Sequence, residues 1–527
     1  MKKAAILALF ALLLVPPARA SSAAGDALAH HPTSTKSPAA QACFDRGLTL
    51  FYAYNRLASQ RAFECAAKAD PTFAMAYWGI ALAHGTNINV EVDPAGEKAA
   101  FSAIQRAVAL QGGAPAAERA YIAALATRYS DRHKPDLRAL AASYAAAMRT
   151  MAERYPEDLD ASTIAAESAM ELRPWQWYTP AGLPVAGTND ILATLTGVLA
   201  RDPMHIGANH FFIHVTEASR HPERALPSAA RLRNMQFEPG AAHLVHMPAH
   251  VYMRTGDFTA AADVNEHAST HDLAYRHDAH EADPEASIYH DHNLTMLAAA
   301  YGNEGRWPAA KRTAAALTAD GALVPAMFVY LRFNRWNDIL AMKSPRHDPN
   351  EPIRLGMWHF TRGMASAASG RLGDARLELA AVRAANTTLK VPAAPGSYNS
   401  SADIFHLASD VLAAKIAGAQ NHRAAQIALL RDAVAVQDRL LYIEPPDWYA
   451  PIRESLGATL FAGGDYAAGA NVFRDDLRHN PRNPRSLFGL AESLRKMGRD
   501  AEAARARTEF DAAWKNADTP LAMDRLN

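Results

Sequence analysis

The strongest constraint on what this chain can fold into is a period. Gly464-Asp465-Tyr466 and Gly498-Arg499-Asp500 stand 34 residues apart, each followed by a helix-forming stretch with small residues, and Asn480-Pro481 ends the stretch between them. That length is one helix–turn–helix unit, and so small a unit can bury its apolar face only against its neighbours. Laid along the chain, the same frame closes units at Asp70-Pro71 and Tyr155-Pro156 and opens one at Trp78-Gly79. It sets further turns at Gly256-Asp257-Phe258, Gly305-Arg306-Trp307 and Gly370-Arg371-Leu372. Helix formers dominate, Ala above all, while β-branched alternation is scarce.

Thirty-four residues is the tetratricopeptide period, so the expected fold is all-α, a tetratricopeptide-type α-α superhelix running as one array over about 41–520. Insertions are expected near 175–188, 271–289 and 385–401, and long loops in a compact array are often functional. In such a superhelix the first helix of each unit lines the concave side, through places two, five, nine and twelve.

The stretch "HLVHMPAHVYMRTGDF" (243–258) makes that register chemically interesting. With Gly256 at place fifteen, His243, His246 and His250 fall at two, five and nine, and spacings of three and four put them on one helical stripe. The preceding unit, registered on Ala225, sets His210, His214 and Glu217 at five, nine and twelve. The unit before that offers Asp160, Glu167 and Met170, and the unit after offers His292 at place two. Of 22 histidines, 13 lie between 205 and 292, where even spreading would leave about four. Four successive inner helices thus aim imidazole and carboxylate groups at one patch.

Imidazoles at i and i+4 on adjacent helices make a ready metal site, with neighbouring groups to orient them. The candidate ligands are His210, His214, His243, His246, His250 and His292, and six imidazoles suffice for two ions. Glu217 and Glu167 are the candidate catalytic carboxylates, with an orienting role for a His tautomer as their alternative. A thiolate-free, His-rich set suits copper or zinc, while two His with one carboxylate suit non-haem iron. The competing reading is a solvated inner face that meets a peptide. His205, His221, His277, His280 and His290 sit near helix ends or loops, where solvated or capping roles are commoner. Trp175, Trp177 and Tyr178 form an aromatic lip over the groove or pack an insertion onto the array. His84, Asn87 and Asn89 cap an early helix, and Arg453 and Glu454 are expected to pair across repeats.

Lys2 and Lys3, an apolar run from Ala4 to Val15 and Ala18-Arg19-Ala20 read as a cleavable signal peptide over 1–20, cut near Ala20/Ser21, with a flexible leader over 21–40. A periplasmic or secreted protein follows, and no later apolar stretch is long enough to span a membrane. Lys plus Arg equals Asp plus Glu at 54 each, so no global field recruits nucleic acid or an anionic membrane. Cys43 and Cys65 fall in the first hairpin, as a disulfide or as two small buried thiols. HExxH, GxSxG, phosphate-cradling glycine and CxxC motifs are missing from the sequence, which leaves zincin, α/β-hydrolase, nucleotide-binding and thioredoxin-like chemistry unsupported.

The run "DPMHIGANHFFIHVTEASRHPERALPSAARL" with "PGAAHLVHMPAHVYMRTGDFTAAADVNEHA" closely resembles a group of bacterial exported tetratricopeptide proteins. "FAMAYWGIALAHGTNIN", "ERAYIAALATRYSD", "YHDHNL" and "DWYAPIRESLGATL" resemble its other signatures, so the likeness covers nearly the whole mature chain. It implies a helical-repeat fold and brings no activity. The chain departs from the group at Gly85-Thr86, where Gly-Pro is usual, and at His267 and His271, which makes those two weaker site candidates. Three functions fit: a metal-dependent oxidoreductase or hydrolase acting on an extended small molecule or peptide in the groove, a scaffold for a peptide or protein partner, and a metal buffer or carrier.

Overall fold

A computed structural model of the chain describes residues 27–278, 283–346, 352–388 and 398–526. The described residues form helices and no strand, apart from one isolated bridge between Tyr178 and Pro184. Helices pair with their neighbours in sequence, Pro38–Tyr52 with Arg56–Ala69 at the start and Pro484–Lys496 with Asp500–Ala513 at the end. The chain is therefore an all-α array of stacked antiparallel helix pairs. No helix of the described residues is long and apolar enough to cross a membrane.

Local chemistry sets the boundaries. Ser37, Asn55, Asp93, Asp136, Asp158, Ser400 and Asp465 each accept a backbone N–H of the first turn that follows, satisfying a donor the helix itself leaves unpaired. The turns read from the period are the turns formed: Gly256, Gly305, Gly370, Gly464 and Gly498 all have φ between 71° and 82°, a region that disfavours any Cβ. Gly256 is doubly constrained, because a Cβ there would lie 2.0 Å from the Pro481 carbonyl oxygen.

That contact reveals the tightness of the coil. Units far apart in sequence touch, and among the described residues five of the six candidate histidines are buried rather than lining an open groove. Arg46 pairs with Glu238, Asn55 Nδ2 donates to the Gly240 carbonyl, and the Tyr52 ring fills the space a Cβ of Gly207 would take. At the other end Asp518 accepts from the Trp307 N–H, and the Trp514 ring covers Gly305. Apolar packing is continuous from Ala40 to Phe333; further clusters span Met327 to Leu460 and Ala458 to Leu526.

Several local expectations are refined. The part of the leader that is described, 27–37, lies as an extended strap on the first helices rather than free. Its Ala29 N–H donates to Thr49, His31 pairs with Asp160, and Ser34 bonds Glu118 through both N–H and hydroxyl. Such short polar residues tie down readily because both backbone and side chain can donate. The 175–188 insertion is a loop between Leu159–Met170 and Thr188–Arg201, whereas 271–289 is mostly helix, Phe258–Asp278 running on and Pro284–Glu304 taking over. Most of 385–401, the signal peptide at 1–20 and His280 lie outside the described residues. Cys43 and Cys65 form a disulfide. Arg453 and Glu454 pair across repeats as expected. Arg453 binds Asp438 and Asp475, while Glu454 binds Arg332 and Arg485.

Candidate metal centre

Three stretches carry the imidazoles. Helix Ile206–Glu217 presents His210, His214 and Glu217 one turn apart on one face. Ala242–His246 and Pro248–Thr255 continue almost as one rod because Met247 keeps helical angles, φ −50° and ψ −37°, so Pro248 does not break the His243, His246, His250 stripe. Helix Pro284–Glu304 adds His292. All six sequence candidates come together. Five of the rings are buried, His210 and His250 wholly so, and His292 is half-buried.

The six rings fall into two groups of three. In one, His246 Nε2 lies 2.9 Å from both His250 Nε2 and His292 Nε2, and the last two are 3.4 Å apart. In the other, His210 Nε2 lies 3.1 Å from His243 Nε2, and the donor atoms of His210, His214 and His243 are all within 4.8 Å of one another. Ligand nitrogens at 2.0–2.1 Å around a tetrahedral ion stand about 3.3 Å apart, so the first triangle has the edges of an ion's coordination face.

Outer partners decide which nitrogen points inward. His210 Nδ1 donates to the Tyr52 carbonyl oxygen at 2.7 Å, and His246 Nδ1 to Asn265 Oδ1 at 2.6 Å. Glu217 takes one ring from each group: Oε1 accepts from His214 Nδ1 at 2.9 Å, Oε2 from His250 Nδ1 at 2.7 Å. A proton fixed on Nδ1 of a neutral imidazole leaves a bare lone pair on Nε2. Several bare lone pairs then meet in a buried space, an arrangement a cation relieves. His214 Nε2 has no hydrogen-bond partner among the described residues.

Titration behaviour agrees with neutral rings at five of the six histidines. Burial pushes His210, His243 and His292 well below the usual imidazole range, with neighbouring histidines adding to it, and pushes His246 down to about 3. His214 is also lowered by burial, against the pull of Glu217. Burial acts on His250 in the same way, but the Glu217 charge and hydrogen bond more than offset it, and its pKa is raised. Burial alone would raise Glu217. The two imidazoles it binds overcome that and bring it down to about 2, so it is a carboxylate.

Aromatic rings wall the cluster. Tyr54, at φ 56°, stacks on His243 and His214 and meets His210 edge-on at 4.6 Å between centroids. Trp175 meets His214 edge-on at 5.3 Å, its indole N–H held by Asn89, whereas Trp177 packs behind it and bonds the Met170 carbonyl and Tyr178 bridges to Pro184, so of the expected lip Trp175 alone walls the site. Tyr289 packs on His243. A distant loop supplies Tyr442, whose hydroxyl donates to Glu217 Oε2 at 2.9 Å and lies 2.7 Å from Glu444. Burial raises Glu444 to about 7. Arg254 covers the Tyr442 ring and donates to the Glu217 carbonyl oxygen.

The other candidates go elsewhere. Glu167 stands in none of the metal-type groups: burial and the adjacent Glu171 push its carboxyl well up, and one of its oxygens has no partner. Asp160 forms a separate knot with His31, His205 and Tyr52. His290 is buried beside Asp272, His221 is exposed beside Glu223, and His267 and His271 pack on each other. Asn87 caps the turn at Asn89 and Val90. A surface groove of about 800 Å³ runs between Leu137–Arg154, Leu159–Met170 and Thr188–Arg201, and none of the six imidazoles lines it. Sequence reasoning missed Tyr54, Asn265, Tyr442 and Glu444. Asn265 alone left a signal, as the polar residue on the second helix of the unit that holds His246.

No family model matches the chain, and no curated protein matches it. Among solved structures, two of human IFIT1 align with it. The dimer with PPP-AAAA covers 90% of this chain and 91% of its own at a TM-score of 0.35, and the dimer with m7Gppp-AAAA covers 89% and 90% at 0.34, each at 11% identity. Likeness of that size assigns neither a partner nor an activity.

Proposed function

We propose that this chain is an exported tetratricopeptide-type protein, one array over about 41–520, that holds a transition-metal ion on His246, His250 and His292. The observation that carries the reading is the triangle of three Nε2 atoms with edges of 2.9, 2.9 and 3.4 Å, two of its rings held from behind by Asn265 and Glu217. Carboxylate–histidine–metal pairs of this type fix ring orientation and raise ligand basicity. Copper, zinc and iron all accept imidazole, and copper leads in raw affinity.

Both Glu217 oxygens are engaged by imidazoles, so its role is to position ligands rather than to shuttle a proton. The bound ion supplies Lewis-acid or redox chemistry, and a metal-dependent oxidoreductase or hydrolase is the class that follows. Enclosure favours a small substrate over an extended peptide, with the half-buried His292 edge as the way in. The same enclosure speaks against a peptide-binding inner face, because buried rings cannot meet a partner. A carrier keeps the metal without turnover, and activity with the loaded protein separates the two.

Elemental analysis of the natively exported chain tests the reading, beside a variant carrying both His246→Ala and His250→Ala. The expected result is bound metal in the parent and loss in the variant of the ion held by His246, His250 and His292. Metal-free parent protein that stays metal-free after incubation with copper, zinc and iron would end it.

A further inference from the structure

We infer that the second group, His210, His214 and His243, holds an ion of its own, and that the two groups form one dinuclear copper centre. This rests on the metal-binding reading above and goes beyond it in number of ions and identity. His210 Nε2 and His243 Nε2 approach to 3.1 Å, and the donor atoms of the three residues lie within 4.8 Å. Two of these rings are held from behind on Nδ1, His210 by the Tyr52 carbonyl and His214 by Glu217. His214 Nε2 is the independent sign of a missing occupant: a buried ring nitrogen of a member of the group, with no hydrogen-bond partner among the described residues. A native fold rarely leaves such an atom unpaired.

Three contacts make the two groups one centre. Glu217 binds His214 of the second group through Oε1 and His250 of the first through Oε2. The rings of His214 and His250 are 5.2 Å apart, and those of His243 and His246 are 5.9 Å apart. Paired ions in proteins commonly sit about 3.5–4 Å apart and act on one ligand between them.

Copper is the ion this donor set selects. All six ligands are imidazoles, neither group offers a thiolate or a coordinating carboxylate, and Glu217 stands behind the rings on their Nδ1 side. Three neutral nitrogens suit copper in either oxidation state, and copper heads the affinity order for imidazole sites. Zinc in three-His sites completes a fourth position with water, which the Tyr54 and Trp175 rings packed on the second group disfavour.

The test uses the full chain, stripped by chelation and titrated with copper ions alone. Equivalents bound are read by elemental analysis, and spin by electron paramagnetic resonance. Two equivalents per chain are expected, and the signal of the cupric form should fall well below that of the copper present, because cupric ions at the spacing of paired metal sites couple. His243→Ala should bind one equivalent and show a full signal, and His292→Ala in the other group should do the same. Circular dichroism checks that each variant folds, and if neither does, the parent's stoichiometry and spin decide. Saturation at one equivalent overturns the inference and leaves the single-ion reading standing, whereas no binding overturns both. Two uncoupled ions, or two equivalents retained by His243→Ala, also overturn the paired centre. Two equivalents of zinc taken up in preference to copper overturn its copper identity.

Discussion

Tyr442 Oη stands 2.9 Å from Glu217 Oε2, across 225 residues of chain. The contact brings a loop of the C-terminal half onto the carboxylate that orients His214 and His250. Tyr442→Phe removes the hydroxyl and keeps the ring over which Arg254 lies. A hydrogen bond to a charged group contributes about 1.5–3 kcal/mol, so thermal or urea unfolding should register a loss of that size. Unchanged stability would mean that the loop is held by its other contacts alone.

Glu217→Gln keeps the shape and removes the charge. One of its two oxygens becomes an N–H₂ that meets an imidazole Nδ1–H, donor against donor. Loss of an outer partner of this kind costs about 10–100-fold in metal affinity. Competition with a chelator of known affinity measures it, and an affinity equal to the parent's would remove Glu217 from the site.

Two turn glycines with the same backbone separate conformational strain from collision. Gly370 has φ 73° with open space where a Cβ would go, and Gly256 has φ 74° with the Pro481 oxygen 2.0 Å away. Gly370→Ala should cost about 1–2 kcal/mol from the left-handed backbone. Gly256→Ala should cost at least about 2 kcal/mol more, since Pro481 must move. Equal losses in denaturant unfolding would show that the Pro481 contact gives way freely.

The strap at 27–37 should loosen on both sides of a pH window. His31 is buried, which lowers its pKa, but the Asp160 hydrogen bond and charge outweigh that and raise it above 6.5. A raised histidine stabilises fully below its unfolded value and loses that contribution as pH rises through the folded one. Asp160, lowered from 3.8 by His205 and His31 against its own burial, contributes above its unfolded value and fails as pH falls. Amide exchange at 27–37 should therefore be most protected in mildly acidic solution, after correction for the intrinsic rate. The alkaline loss should vanish in His31→Ala. A pH-independent profile in the parent would show that His31 does not hold the strap.

Loading the centre should stabilise the fold by mass action. At free metal about a thousand times its dissociation constant the gain is about 4 kcal/mol. The Tm of copper-loaded protein should drop on adding excess chelator, and that of His246→Ala should drop by less. A parent Tm indifferent to metal would contradict a site joining three helices.

Much of this was written locally. Gly256 set the register, and the register put His243, His246 and His250 on one stripe, because spacing along a helix fixes direction. Asp160 and Glu167 obeyed the same register, yet they turned to His31 and Glu171, since a buried carboxyl follows whichever donor or acid adjoins it. Tyr54 and Tyr442 were illegible for another reason: each reaches the imidazoles by tertiary closure of the coil, and no period records how tightly successive turns of a superhelix pack. The open groove expected from stacked hairpins failed on the same ground.

That closure changes how the molecule should come apart. Stacked repeats ordinarily fray from their ends, each unit held by one neighbour and able to melt nearly alone. Here the first hairpin is clasped at Glu238 and Gly240, and the last residues at Gly305 and Trp307. Unzipping from either terminus must break contacts to units near the middle of the chain, so melting is expected to gather into a few large cooperative steps. The histidines lie within the first of those blocks.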